Sequence, residues 1–365
     1  MFDVSTSKGY DAGKMKFVRK STNRFEFVGR TKDNYGVQGF VEKLNVQPND
    51  AGTISVSQVG AVHAQIRKNK WYSSQNIFVL SPNYKELINL LVVAAIDKIL
   101  VNYGGYSSYP TLQTLKEHKI QLPTKDGKID FEFMDACIRE LEEERIRELS
   151  AYLTVSGLDN YELSSEEKEA LNAYDSMVFG EHKFKDIFNK IRIGDLFEIK
   201  PTKAYKLTNE DLFEKNGLYP VVTNSSVNNG ITGYTNLSPT EKGNMITYSD
   251  TTTSDGIFYQ PTDYIGYSHI QGLYPLVHKE KWEHKSLMYI VTCFRKSASG
   301  RFDYGNKFNR NIAKEMFIQL PTKDGKIDFS YMELLISAVQ KLVIKDVVLY
   351  ADEKIQSTKK IVKES

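Results

Sequence analysis

The 365 residues carry few of the patterns by which side chains make or break bonds. A triphosphate loop of the form G-x-x-x-x-G-K-[ST] is absent, as are the H-E-x-x-H helix, the G-x-S-x-G elbow and a glycine-rich dinucleotide turn after a strand. The N-P-P-Y tetrapeptide of amino-methyltransferases is missing too. Ser81-Pro82-Asn83-Tyr84 is only a distant likeness of it, with no glycine-rich cofactor loop beside it. The six histidines, His63, His118, His182, His269, His278 and His284, show no metal-ligand spacing. Glu166 and Lys168 make half of a nuclease-like pattern, inside an acidic helical stretch where such neighbours are routine. Cys137 and Cys293 stand alone, which excludes a disulfide framework or a zinc knuckle and fits a reducing compartment. No catalytic residue, metal or cofactor is expected in this chain.

What the chain does carry suits DNA. Phosphates are met by Lys, Arg and small polar side chains, while base edges in the major groove are read by Arg or Lys at guanine and Asn or Gln at adenine. Such residues cluster on turn-prone stretches: Arg30, Lys32, Asn34 and Tyr35, then Gln58, then Arg67, Lys68 and Lys70. The second half offers Asn224, Asn228 and Asn229, then Thr252 and Ser254, then Arg301, Lys307 and Arg310. Any one cluster is as readily a solvated hairpin loop. Matching placement in two halves favours recognition.

The halves are set by a repeat. Ile120–Phe131 reads IQLPTKDGKIDF, and Ile318–Phe329 reads the same twelve letters. In both copies Ile-Gln-Leu is expected to be a short strand ended by Pro123 or Pro321. Asp126-Gly127 or Asp324-Gly325 then forms a tight turn, and Asp130 or Asp328 caps a helix. Ahead of the repeat, Phe2-Asp3-Val4 matches Phe197-Glu198-Ile199, and Asn34 to Phe40 matches Asn228 to Tyr234. Tyr106 falls level with Tyr304, so both join the candidate DNA-binding residues. After the repeat, Met134, Ile138 and Leu141 in one copy and Met332, Ile336 and Val339 in the other keep the spacing of a helix-pairing seam in one register. The first helix, from Phe131 to Leu153 at about 1.5 Å per residue, spans roughly 34 Å; the second is longer.

Two β-rich bodies therefore alternate with two long helices. Strands are expected at 25–29, 53–62 and 71–80, and a helix from Tyr84 to Val101. The divisions are 1–123, the first body; 124–186, the central helix and a connecting arm capped at Ser164-Ser165-Glu166-Glu167; 187–321, the second body; and 322–365, the distal helix. Their net charges are +7, −9, +3 and +1, so two basic segments flank an acidic one. Copy one lacks the opening strand that Phe184 to Asp195 gives copy two. Either the chain is shortened there or its C-terminal tail lies beside the N-terminus. No apolar run reaches the roughly 18 residues of a membrane span, and the first residues do not look like a signal peptide, so a cytoplasmic location is expected.

These duplicated halves, the I-x-L-P strand before each long helix, Gly194-Asp195-Leu196-Phe197-Glu198-Ile199 and Gly105-Tyr106 resemble the DNA specificity subunit of Type I restriction-modification systems. The resemblance covers nearly the whole chain. It implies an α+β molecule in which two mixed target recognition domains are joined by two long antiparallel coiled-coil helices, as a pseudo-twofold internal repeat. Each domain would read one part of a bipartite site on double-stranded DNA, and the helices would set the spacing. It implies no catalysis in this chain; two methyltransferase subunits, carrying S-adenosylmethionine, and a restriction subunit are the implied partners. Two alternatives stand beside it: the specificity subunit of a fused Type II-like enzyme, and a tandem β-domain scaffold that binds protein or glycan.

Overall fold

The structure is a computed structural model and describes residues 1–104, 108–178, 187–251, 254–302 and 306–364. The chain divides into two compact units, Met1–Leu149 with Ile355–Ser365, and Ser150–Lys354. The first unit holds β1 (Phe2–Thr6), β2 (Gly9–Tyr10), β3 (Phe25–Val28), β4 (Val37–Val41), β5 (Thr53–Ser57), β6 (Ala64–Arg67), β7 (Trp71–Ser74) and β8 (Ile77–Pro82). Helices α1 (Leu90–Leu100) and α2 (Leu112–Glu117), the ribbon β9 (Thr124–Lys125) and β10 (Lys128–Ile129), and helix α3 (Phe131–Val155), whose residues from Ser150 belong to the second unit, follow. The second unit holds α4 (Ser165–Val178), β11 (Phe188–Arg192), α5 (Ile193–Leu196), β12 (Phe197–Pro201), α6 (Asn209–Leu212), β13 (Tyr219–Val222), β14 (Ile231–Thr235), β15 (Met245–Ser249), β16 (Ile257–Gln260) and β17 (Ile270–Pro275). It ends with α7 (His284–Ala298), α8 (Arg310–Glu315), β18 (Phe317–Lys323), β19 (Lys326–Ile327) and α9 (Phe329–Glu364), whose residues from Ile355 belong to the first unit.

The repeat extends through the main sheets. One sheet runs β1-β8-β5-β6 in the first unit and β12-β17-β15-β16 in the second, all antiparallel. The ribbons β3–β4 and β13–β14 each shift register at the same place, between Phe27 and Val28 or between Val221 and Val222. Phe27 lies parallel to Tyr72 as Val221 does to Ile265. Inward alternation explains why so few residues suffice: Ile54, Val56, Phe78 and Leu80 form the first core with α1, and Ile246, Tyr248 and Leu273 form the second with α7.

The shared connector folds as its turn chemistry requires. Asp126 and Gly127 take φ of 51° and 74°, and Asp324 and Gly325 the same values. Both aspartates cap: Asp130 Oδ1 accepts from Phe133 N at 2.9 Å and Asp328 Oδ1 from Tyr331 N at 3.0 Å.

Several expectations are corrected. Ile120–Leu122 is not a strand, because among the described residues none pairs with it, whereas Ile318–Leu320 lies inside β18. Pro321 does not end that strand but sits within it, opposite Phe188. The stretch 71–80 is two strands, broken at Asn76 with φ of 63°. The helix expected from Tyr84 starts only at Leu90, where Asn89 accepts from Leu91 N. Met134 and Met332 are fully buried in the cores of their own bodies, not on a seam, because the first helical turn packs under each sheet. Leu141 and Val339 are more than two-fifths exposed, and Ile138 and Ile336 are half-buried.

Candidate nucleic-acid interface

The loops entering β4 and β14 have the same unusual backbone. Asn34, Tyr35 and Gly36 take φ of 46°, 52° and 73°; Asn228, Asn229 and Gly230 take 49°, 54° and 77°. Asparagine tolerates this region because its short amide bonds locally, and here Asn34 Nδ2 donates to Val37 O and Asn228 Nδ2 to Ile231 O, both at 2.9 Å. Tyr35 has no such compensation, and its left-handed conformation costs about 1–2 kcal/mol. Strain of this kind persists where surrounding structure dictates it.

A buried side chain at the end of the adjoining edge strand supplies that constraint in both units. Arg67 Nη1 donates to Tyr35 O at 2.7 Å and Nε to Ser55 Oγ at 2.8 Å, with Gln65 Oε1 also accepting from it. Gln260 Nε2 donates to Asn229 O at 3.1 Å and to Thr247 Oγ1 at 2.9 Å. Arg67 and Gln260 occupy the same position on β6 and β16. Burial pulls the Arg67 guanidinium down to about 10, with Glu26 opposing the shift, so it stays charged at neutral pH.

Arg67 is therefore corrected from a residue exposed to DNA to one that holds Tyr35: it is 2 % exposed. Tyr35, in contrast, is 77 % exposed. Arg30 and Lys32 are exposed on the same loop, and Gln58, half-buried, donates to Pro110 O at 3.0 Å. Gly36 lies against Gln65, and Gly60 beside Arg30 O, so loops 30–36 and 58–60 meet at the end of β6. Lys68 and Lys70 are exposed on the next turn, where Asn69 bonds Glu26 and Lys70 lies 3.7 Å from Asp50.

In the second unit Asn224 is exposed and reaches Thr251 Oγ1 at 3.4 Å; Asn228 is exposed, and Asn229 folds inward to Tyr259 O at 2.9 Å. Ser254 is buried, which corrects its expected exposure: loop 254–256 turns in beneath Arg295, whose Nε donates to Ile257 O. Arg301 donates to Ser297 O and lies over Phe302, closing the end of α7. Lys307 and Arg310 are exposed at the start of α8. Arg310 is close enough to Tyr248 to oppose the rise in its phenol pKa, which burial and Asp250 cause. Tyr106, Thr252 and Tyr304 lie outside the described residues.

Sequence inspection missed Gln260, Ser55 and Thr247, and also Asp250, which bonds His269 Nδ1 at 3.1 Å and Gln271 Nε2 at 2.8 Å. The available signal was a long polar residue closing both β6 and β16. Among the described residues no group of His, Cys, Asp or Glu could hold a metal ion, and no helix is long and apolar enough to cross a membrane.

The family model for the Type I restriction modification DNA specificity domain matches residues 3–151 and 186–348. The chain belongs to that family. Its two matched segments carry one recognition body each. The chain is 24 % identical over 361 residues to the specificity subunit S.BcgI of a Type II restriction enzyme from Heyndrickxia coagulans, covering 94 % of this chain and 93 % of that one. It also shares the fold of the Type I restriction-modification S subunit from M. genitalium, with a TM-score of 0.56 and 12 % identity over 99 % of this chain and 91 % of that one. As a specificity-domain protein it is a DNA-recognition component of a restriction-modification system.

Proposed function

We propose that each body, 1–123 and 187–321, is a target recognition domain that reads one part of a bipartite site on double-stranded DNA. The observation that carries this is the repeated tip: one backbone frame, clamped by Arg67 or Gln260, turns Tyr35 outward in one body and its counterpart Asn229 inward in the other, so that the two tips expose different side chains. A common frame with unlike side chains is what two readers of unlike sequences require. Arg30, Lys32, Asn34, Tyr35, Gln58, Lys68 and Lys70 serve the first body; Asn224, Asn228, Arg301, Lys307 and Arg310 serve the second, where Asn229 instead shapes the tip from within. Lys and Arg hold phosphates with salt-sensitive affinity, and Asn and Gln amides read adenine edges.

The helices of 124–186 and 322–365 pair antiparallel and set the spacer. At 25 residues α3 is about 37 Å long, close to one turn of B-DNA. The apolar residues left exposed on α9, Leu342, Val343, Val347 and Leu349, form a docking face for two methyltransferase subunits, and with them a restriction subunit. Methyl transfer from S-adenosylmethionine to a flipped adenine belongs to those partners, and this chain is non-catalytic. The likeness to a Type II specificity subunit favours a second arrangement, in which one partner chain both modifies and cleaves. Whether the partner gene also encodes a nuclease separates the two.

The test is to exchange residues 187–317 for those of a relative and map methylated sites in cells that carry the partner subunits. One half of the methylated sequence should change. A change in both halves, or in neither, would overturn the modular assignment.

A further inference from the structure

A second position is duplicated where the chain enters each main sheet. Asn76 precedes β8 with φ of 63°, and His269 precedes β17 with φ of 65°. Their carbonyls accept from matching amides, Asn76 O from Gln58 N at 2.9 Å and His269 O from Asp250 N at 3.0 Å. The next residues match as well, with Ile77 O accepting from Ser7 N and Ile270 O from Thr202 N, both at 2.9 Å. Asn76 and His269 are both exposed.

Each position adjoins the tip of its own body. Gln58 joins Asn76 to loop 58–60, which meets loop 30–36. In the second body Asn224 Nδ2 reaches Thr251 Oγ1 at 3.4 Å, and the neighbouring Asp250 holds His269.

Glycine or asparagine would satisfy a backbone of this kind, so turn geometry alone does not account for the second site. His269 is oriented by its surroundings: Asp250 Oδ1 accepts from Nδ1 at 3.1 Å, while Oδ2 accepts from Gln271 Nε2 at 2.8 Å. The Asp250 side chain is 23 % exposed and that of His269 59 %. A carboxylate beside a surface that meets phosphates repels the polyanion. Its use here is to fix the ring and to place the proton on Nδ1. The neutral ring then offers Nε2 as an acceptor on its other edge, and among the described residues no protein group bonds that atom. In the first body Gln58 stands at the place of Asp250 and bonds Pro110 O instead. Among the described residues no hydrogen bond engages the Asn76 amide, which keeps both its donor and its acceptor.

We infer that His269 and Asn76 are matched base-reading residues, one in each body. His269 Nε2 accepts from the exocyclic amino group of an adenine or cytosine in one half-site, and the Asn76 amide pairs with an adenine edge in the other. Asp250 is the positioning residue for His269. The assignment rests on the reading of both bodies as target recognition domains, and it adds one reader to each on a frame common to both.

The test uses the full chain with its partner subunits on a duplex that carries the mapped methylated site, followed by gel shift. His269→Gly and Asn76→Gly suit the left-handed backbone, so both should keep a cooperative thermal transition. Amino groups are removed one at a time from the DNA, with 2-aminopurine for adenine and 2-pyrimidinone for cytosine. One such removal in the second body's half-site should weaken the wild-type complex about fivefold. His269→Gly should bind the natural site about fivefold more weakly and be indifferent to that same removal. Asn76→Gly should be indifferent at one adenine of the other half-site, and Asp250→Asn should reduce only the coupling of His269. Full sensitivity of either glycine variant to every removal, or coupling of both to one half-site, would overturn the assignment. Coupling of His269 to a 7-deazaguanine substitution would overturn its acceptor role. A wild-type complex that does not prefer the mapped site to an unrelated duplex would sink the recognition-domain reading itself.

Discussion

At the scale of single residues, Arg67 and Tyr35 divide structural from recognition work. Arg67→Ala leaves Ser55 Oγ and Tyr35 O without their charged donor in a buried site. A loss of about 2–4 kcal/mol in urea unfolding is expected. Arg67→Gln should recover much of it, because Gln260 bonds Thr247 and Asn229 in the same way. If Arg67→Ala unfolds at the wild-type midpoint, the clamp is wrong. Tyr35→Gly has the opposite profile. It relieves left-handed strain of about 1–2 kcal/mol while removing an exposed ring, so stability should hold or rise as DNA affinity falls. Unchanged affinity in a gel-shift titration would remove Tyr35 from the interface. Asn34 and Asn228 were legible as turn residues from their types. Arg67 was misjudged because a basic residue after a short strand looks exposed until the register across β5 and β6 is known.

At the scale of elements, the arm after α3 is fastened rather than loose. Ser164 Oγ accepts from Glu167 N at 3.2 Å, and Glu167 Oε2 accepts from Ser164 N at 2.8 Å, a reciprocal cap that starts α4. The same carboxylate receives Lys341 of α9 at 2.9 Å, and Tyr331 Oη donates to Ala170 O at 2.9 Å. Burial works against the Glu167 carboxylate, but Lys341 and the Ser164 amide outweigh it and hold its pKa below the usual range. A carboxyl lowered on folding stabilises fully above the unfolded value, about 4.3, and loses that contribution as pH falls through the folded value. Stability measured by urea unfolding should therefore drop on acidification below about pH 5, and Glu167→Gln should flatten that slope. An unaltered slope in the variant would show that Glu167 contributes nothing to it. The cap was visible in Ser164-Ser165-Glu166-Glu167; its partner Lys341 was not, since nothing in sequence ties positions so far apart.

At the scale of the whole molecule, the proposed spacer follows from helix length. Seven residues inserted in both α3 and α9 add about 10 Å, or about 3 base pairs at about 3.4 Å each. The methylated half-sites should stay the same and move apart by that amount; an unchanged spacing would refute the ruler. The sequence alone determined the duplication, the turns at Asp126-Gly127 and Asp324-Gly325, the helix caps and the place of the tips, because each depends on residue type over a few neighbouring positions. Tertiary structure decided which of the chosen side chains face solvent. It buried Arg67 and Ser254, sent Met134 and Met332 into separate cores, and left Ile120–Leu122 unpaired although its twin at Ile318 is a strand. Identical letters took different structures there because a strand is a pairing between segments, and among the described residues only Ile318–Leu320 is paired, with β11.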